Sequence, residues 1–179
     1  NSNKHVFIEK PGAINYIEFS KIIELLEVCK KVLHVGYNHR YHKSVRKAIS
    51  MVELGEIGKI LFVRARYGHG GRVGYEKEWR ANKDISGGGE LIDQGTHLLD
   101  LCQAFLGDLK LDYAATPNFF WEMNVEDNAF LVVRNDIGSI GFLHASCTEW
   151  KNTFSFEVYG EIGKLEISGL GGSYGIEKL

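Results

Sequence analysis

The carboxy-terminal half of the sequence contains five short segments that alternate apolar and polar residues, and these segments constrain the fold more than any other feature. Such alternation is typical of strands with one buried and one exposed face. Turn signals at 135–138 and 160–163 separate successive segments, which favours an antiparallel meander. The predicted fold class is α+β, an open and mostly antiparallel sheet with helices on one face. The predicted strands are Leu111–Ala115, Asp127–Arg134, Ser139–Ser146, Phe154–Tyr159 and Lys164–Ile167.

The first forty residues follow a different pattern. A short apolar strand at 6–8 precedes a segment from about 15 to 31 with helical periodicity, and a second short strand covers 32–36. A strand, a helix and a strand in this order are typical of the end of a parallel α/β unit. Cys29 extends the helical face of Ile22, Leu25 and Leu26, so we expect it to be a small buried apolar group.

The segment that joins these two regions is predicted to contain two more helices, at 42–54 and about 90–106, and a strand at 59–67. Residues 68–89 are rich in glycine and charge, which predicts a long loop. Loops of that length in compact domains usually carry function.

Composition excludes several classes of protein. The charge is nearly balanced, with 21 basic and 23 acidic residues, so there is no basic excess with which to bind nucleic acid. No apolar run approaches the roughly 20 residues of a membrane helix, and the amino terminus does not resemble a signal peptide. The three cysteines are far apart, which fits a reducing, cytoplasmic location. The abrupt start at a strand suggests a truncated domain.

The stretch 87–100 contains the strongest chemical signal, because Asp93 and His97 follow three consecutive glycines. Four residues apart on a helix, the carboxylate and the imidazole would face the same side, as proton transfer near neutral pH requires. Asp100 could hold the imidazole ring. The alternative is that Asp93 caps the helix and His97 is an interior residue, but three glycines suggest that something approaches the backbone closely.

Lys10 is the second candidate. It follows a predicted strand at its carboxyl end, where open α/β sheets bind ligands. The alternative is a solvated lysine in a turn, since most lysines are exposed.

These motifs together resemble the Gfo/Idh/MocA oxidoreductases. The resemblance is carried in order by Glu9-Lys10-Pro11, by 36–40 (Gly-Tyr-Asn-His-Arg), by 55–58 (Gly-Glu-Ile-Gly), by Trp79-Arg80 and by Gly-Gly-Gly…Asp…His at 87–97. It implies that Lys10, Asp93 and His97 are the catalytic group. His97 would be the acid/base, Lys10 would bind the substrate oxygen, and Asp93 would orient the substrate or His97.

The resemblance also implies a cofactor and partners. NAD or NADP would accept a hydride from the CH–OH group of a sugar, sugar nucleotide or cyclic polyol, and the chain would pair with itself through the open sheet. The expected cofactor-binding residues are Glu9, Lys10, Pro11, Asn38, Arg40, Trp79 and Arg80.

The sequence departs from the family at the nucleotide-binding fingerprint. Its nearest approaches to G-x-G-x-x-G, at 68–74 and 169–175, space the last glycine one residue too far. Residues 1–40 are therefore interpreted as a remnant of the carboxyl end of a Rossmann domain and 41–179 as the substrate-binding domain, cut short at its carboxyl end. We expect the fragment alone to be inactive.

Two alternatives remain open at the level of sequence. One is a metal-dependent, non-redox enzyme using Asp93, His97 and His144, although the leading expectation is that the chain binds no metal. The other is a non-catalytic module that associates through its sheet. The substrate is not specified, and the loop from Gly68 to Arg80 is expected to select it.

Overall fold

A computed structural model describes residues 4–179, so the first three residues of the predicted remnant lie outside it. The chain forms a six-stranded sheet, a separate two-stranded sheet and four α-helices among these residues. The helices are α1 (Tyr16–Cys29), α2 (Lys43–Glu53), α3 (Lys83–Ser86) and α4 (Thr96–Leu106). The strands are β1 (Val6–Ile8), β2 (Leu33–Val35), β3 (Ile60–Gly68), β4 (Lys110–Ala115), β5 (Asn128–Arg134), β6 (Ile140–Ser146), β7 (Thr153–Gly160) and β8 (Lys164–Ser168).

The large sheet has the strand order β4-β5-β6-β3-β7-β8, and all its neighbours are antiparallel except β3 and β6. The predicted mostly antiparallel α+β sheet is confirmed, but the predicted meander is wrong at its centre. β3 lies between β6 and β7, which the meander would have paired. The turns at 135–139 and 161–163 are tight enough for hairpins, whereas the six residues between β6 and β7 cross to the far side of β3.

One face of this sheet forms the core. Val63 and Ala65 of β3 point inward and are almost fully buried, while Arg64 and Arg66 between them point to the other face. Helices α2 and α4 cover the inner face, with Val45, Leu98 and Leu101 fully buried against it. Helices on one face of the sheet were predicted, and this is what the structure contains.

The β1–α1–β2 segment forms the predicted parallel pair, in which Phe7 lies opposite His34. The side chain of Asn15 begins α1 by accepting a hydrogen bond from the backbone N–H of Glu18. Within the described residues α1 has no buried side chain, and Cys29 is exposed. The prediction that Cys29 is buried is wrong, because no other layer of residues 4–179 covers that face; Cys102 and Cys147 are buried as expected.

Residues 68–89 are more ordered than a plain loop. Two single turns of 3₁₀-helix, Tyr75–Lys77 and Trp79–Ala81, precede α3, whose first N–H groups are capped by the side chain of Asn82.

No helix within residues 4–179 has both the length and the apolar character needed to cross a membrane.

Candidate active site

The triple glycine lets two backbone segments approach each other. A Cβ at Gly89 would lie 2.0 Å from the carbonyl oxygen of Glu126, and the N–H of Glu90 donates to that same oxygen at 3.1 Å. Gly87 has φ +80°, a conformation that favours glycine. The three glycines suggested that something approaches the backbone closely. At Gly89 the close neighbour is the backbone of Glu126 in the same chain.

The predicted helix at 90–106 begins with a π-helical turn, Leu91–Gly95, and continues as α4. Asp93 lies in this turn, and π-turns are frequently found at functional sites. No hydrogen bond joins Asp93 to His97 in the part of the chain that the structure describes, and the side-chain partners of Asp93 are Lys10 and Arg80. Both side chains nevertheless line the same cavity.

Asp93 forms ion pairs with two cationic side chains, those of Lys10 and Arg80. The ammonium of Lys10 donates to Oδ1 of Asp93 at 2.8 Å and also to its backbone carbonyl oxygen, and Nε of Arg80 donates to Oδ2 at 3.1 Å. Burial acts to raise the pKa of Asp93, but Lys10 and then Arg80 outweigh it and hold the pKa below its ordinary value. Asp93 is therefore an ionised carboxylate that fixes Lys10 in place.

His97 lies in an aromatic environment, and no carboxylate of the described part of the chain forms a hydrogen bond or ion pair with it. Its ring packs against that of His39, with 3.9 Å between centroids and 34° between the ring planes, and it meets the rings of Tyr37 and Tyr67 edge-on at about 6 Å. Nδ1 is buried and has no hydrogen-bond partner among residues 4–179. Burial, and then Lys10, lower the pKa of His97 to about 4, although Asp93 acts in the opposite direction. His97 is thus a neutral imidazole at physiological pH.

His39 is a residue that the sequence did not single out. It is buried, it is hydrogen-bonded through Nδ1 to the side-chain oxygen of Asn38 at 2.9 Å, and its Nε2 is unpartnered within the described residues. Burial is the largest cause that lowers its pKa, to about 3, and His97 adds to it. His39 belongs to the 36–40 motif, but nothing in that motif indicated that its ring packs against His97.

The cavity that these side chains line, which we call the cleft, has a volume of about 510 Å³. Lys10, Asp93 and His97 line it together, so the three predicted catalytic residues converge although they come from distant parts of the chain. Further polar side chains complete the wall: His69 and Tyr75 belong to the loop that is expected to select the substrate, whereas the sequence did not indicate Tyr67, Asn152 and Tyr174.

A second cavity of about 490 Å³, the side cavity, shares Lys10, Arg80 and Asp93 with the cleft. Of the predicted cofactor-binding residues, Pro11 and Trp79 line the side cavity, Asn38 lines the cleft, and Glu9 lines both. The guanidinium of Arg80 lies over the Trp79 ring, 4.4 Å from its centroid.

Arg40 is placed differently from the other predicted cofactor-binding residues. It lines neither the cleft nor the side cavity, and its guanidinium donates to both carboxylate oxygens of Asp100 at 2.7 and 2.8 Å. The suggestion that Asp100 holds the His97 ring is therefore wrong. A bidentate arginine satisfies that carboxylate better than one imidazole N–H would.

The predicted alternative metal site is not assembled. Nε2 of His144 is hydrogen-bonded to Asn128 at 2.9 Å and its ring stacks on Phe130, while Nδ1 lies 3.7 Å from Glu149. Residues 4–179 contain no group of three or more histidine, cysteine, aspartate or glutamate side chains arranged to hold a metal ion. Asp93 and His97 are thus not joined by His144 as a third ligand.

Comparison with known proteins assigns the fold. Levoglucosan dehydrogenase of Pseudarthrobacter phenanthrenivorans is 24% identical over 92% of this chain and 49% of its own length. Myo-inositol 2-dehydrogenase of Thermotoga maritima is 25% identical over 94% of this chain and 48% of its own length. A solved levoglucosan dehydrogenase, in complex with NADH and levoglucosan, superimposes with a TM-score of 0.84 at 26% identity and covers 91% of this chain.

The chain spans about half the length of these relatives. The family model of the GFO/IDH/MocA C-terminal domain matches residues 45–166, which include the whole six-stranded sheet except the last two residues of β8, and also α4. This chain belongs to the GFO/IDH/MocA family.

Proposed function

We propose that this chain is the substrate-binding and proton-transferring part of an NAD(P)-dependent dehydrogenase that oxidises the CH–OH group of a sugar, sugar nucleotide or cyclic polyol. The observation that carries the proposal is the convergence of Lys10, Asp93 and His97 on one polar cleft. The names of the relatives, which are levoglucosan and inositol dehydrogenases, support this class of substrate. Residues 1–40 would be the remnant of the nucleotide-binding domain and 41–179 the substrate domain.

The residues around the two cavities fit a nicotinamide. Pro11 and Trp79 offer flat apolar surface, while the buried side-chain oxygen of Gln94 and Nδ1 of His97 lack partners within residues 4–179. Glu9, Lys10, Asn38 and Arg80 are the polar residues that would contact the cofactor or the substrate beside it. When bound, the nicotinamide supplies the acceptor for the hydride.

The chain's own residues would handle the proton and the oxygen. Neutral His97 can accept the hydroxyl proton, because its low pKa leaves it unprotonated before the reaction. The ammonium of Lys10 is positioned to stabilise negative charge on the substrate oxygen. Asp93 orients Lys10 and Arg80, rather than His97, through its two ion pairs. This arrangement separates the base from the group that stabilises the oxyanion.

The first test is turnover. The chain is incubated with NAD⁺ or NADP⁺ and with levoglucosan or myo-inositol, and absorbance of the reduced nicotinamide is followed. We expect no turnover by these 179 residues alone, because they contain no G-x-G-x-x-G nucleotide-binding fingerprint, and a steady rate would contradict this expectation.

The second test is binding. Titration of the ¹⁵N-labelled chain with the same two polyols should shift the NMR signals of cleft residues, His97 among them. Lys10→Met and His97→Gln should weaken this binding, and Lys47→Met, at an exposed lysine of α2, is the matched control. If both cleft variants bind like the parent, the site is assigned wrongly.

We further infer that the chain associates with a second copy through the outer face of its sheet. On this face Tyr113 and Phe142 are exposed and Val132 is half-buried, and the three apolar side chains lie in one row across β4, β5 and β6, beside Arg64 and Arg66 of β3. Sedimentation should show a dimer that Phe142→Lys dissociates, whereas Ile137→Lys, in the exposed β5–β6 turn, should not. A monomeric parent would refute the inference.

Three free cysteines also favour a cytoplasmic location.

A further inference from the structure

Three aromatic side chains, Phe120, Trp121 and Trp150, form a continuous cluster that we call the aromatic rim. The Phe120 ring meets Trp121 and Trp150 edge-on, with both centroid distances at 5.0 Å. Phe120 is 53% exposed and Trp150 is 70% exposed. Aromatic side chains left this open on a folded surface commonly mark a place where something binds.

The rim is held rigidly from below. The carboxylate of Asp127, which has no exposed surface, accepts hydrogen bonds from the backbone N–H groups of Phe119, Phe120 and Trp121. The indole N–H of Trp121 donates to the carbonyl oxygen of Cys147 at 3.0 Å. The Phe120 and Trp121 rings are therefore presented by a hydrogen-bonded backbone, which reduces the conformational entropy that a ligand's binding would cost.

Trp150 is in an unfavourable backbone conformation for its residue type. Its φ is +60°, in the left-handed region that a bulky residue rarely adopts. The backbone of Trp150 also lies close to Gly70, since a Cβ added at Gly70 would be 2.8 Å from the carbonyl carbon of Trp150. Burial does not compensate for this strain, because most of the ring faces solvent. Strained residues of this kind are concentrated at functional sites.

The rim adjoins the cleft. The Trp121 ring packs over Gly71 and lies 5.5 Å from Tyr75 between centroids, and both of these residues line the cleft. Asn152, two residues after Trp150, lines it too. A ligand that extended out of the polar cleft on this side would meet the aromatic faces next.

The chemistry of such a ligand follows from this juxtaposition. A sugar ring has polar hydroxyl edges and an apolar face of C–H groups, so it suits a polar cleft beside exposed aromatic faces. A protein partner fits less well: three aromatic side chains bury roughly 150–250 Å² each, short of the roughly 800 Å² per partner of a stable protein interface.

We propose that the aromatic rim binds a second sugar ring of a substrate whose first ring occupies the cleft. The substrate is then a glycoside or oligosaccharide rather than a free monosaccharide. This rests on the proposed function, because it takes the cleft to be the site of the first ring. Stacking on the rim adds affinity only for ligands with a second ring.

The experiment compares the affinities of this chain for D-glucose, maltose, cellobiose and lactose by NMR titration, without any cofactor. At least one disaccharide should bind about tenfold more tightly than glucose. Trp150→Gly should abolish that difference and leave glucose binding unchanged. Because glycine suits φ +60°, this variant should be as stable as the parent or more so, whereas a merely structural Trp150 would lose stability. Tyr16→Ala, at an exposed aromatic of α1, is the matched control.

The outcomes separate the two proposals. If sugars shift cleft signals but no disaccharide binds more tightly than glucose, or Trp150→Gly has no effect on the difference, the rim proposal is wrong and the proposed function stands. If none of the sugars and polyols tested shifts the cleft signals, both proposals fall. If Trp150→Gly changes the sedimentation of the chain and not its sugar affinity, the rim contacts protein and the proposal is overturned.

Discussion

The buried imidazoles of His39 and His97, which pack against each other, should make this protein sensitive to mild acid. The pKa of His97 is lowered from 6.5 to about 4 and that of His39 from 6.5 to about 3, with burial as the main cause in both. Because both values lie below those of the unfolded chain, the unfolded state binds more protons from about pH 6.5 downward. Stability is therefore present above pH 6.5 and falls as the pH drops toward the folded pKa values.

The size of the effect follows from the two pKa values. At pH 5 each imidazole should already have cost about 2 kcal/mol of unfolding free energy, since it is protonated in the unfolded chain and neutral in the folded one. His39→Phe retains a ring to stack on His97 but removes one titrating group. Urea unfolding at pH 7 and pH 5, followed by tryptophan fluorescence, should therefore show the variant losing about 2 kcal/mol less than the parent over this interval.

The parent and the His39→Phe variant contain the same carboxylates, so the difference between their stability losses isolates the contribution of His39. His34→Phe, at an exposed histidine of β2, is the control and should lose as much stability as the parent. If His39→Phe and the parent lost equal stability between pH 7 and pH 5, the argument from buried neutral imidazoles would be refuted.

Three further substitutions test the packing. Phe156→Ala removes a fully buried ring and should lower the unfolding free energy by about 3–5 kcal/mol in urea titrations; a loss below about 1 kcal/mol would contradict the described core. Gly89→Ala places a Cβ against the carbonyl oxygen of Glu126 and should cost roughly 1–3 kcal/mol, and an unchanged thermal midpoint would argue against the close approach. Asp112→Asn breaks the exposed pair with Arg134 and should leave the urea midpoint unchanged; a clear shift would mean that this pair is not a solvated one.

The sequence predicted local features of the fold well, because alternation reports which face of a strand is buried. All five predicted carboxy-terminal strands are present, with ends that move by one residue. Alternation does not report which strand is the neighbour, and this is why the insertion of β3 was missed. Val63 and Ala65 would read the same at an edge or at the centre of the sheet.

The candidate site was predictable where a motif carried it. Lys10, Asp93 and His97 were singled out by their positions and spacing and were joined into one group by the family resemblance. The structure brings them to one cleft, and their roles remain a proposal. His39 and the partner of Arg40 were not predictable, since both depend on contacts across dozens of residues. The burial of α1 was overestimated, because an apolar helical face does not indicate whether the described chain contains the layer that covers it.

The central position of β3 has a consequence for the order in which the molecule assembles. β3 at 60–68 pairs with β6 at 140–146 and with β7 at 153–160, so its partners are synthesised some eighty residues later. The hairpins β5–β6 and β7–β8 can form locally, but they can join into one sheet only when β3 docks between them. Closing such long loops is slow, and both edges of β3 remain open to other chains until then. The rate at which this protein folds should therefore be limited by the capture of one strand.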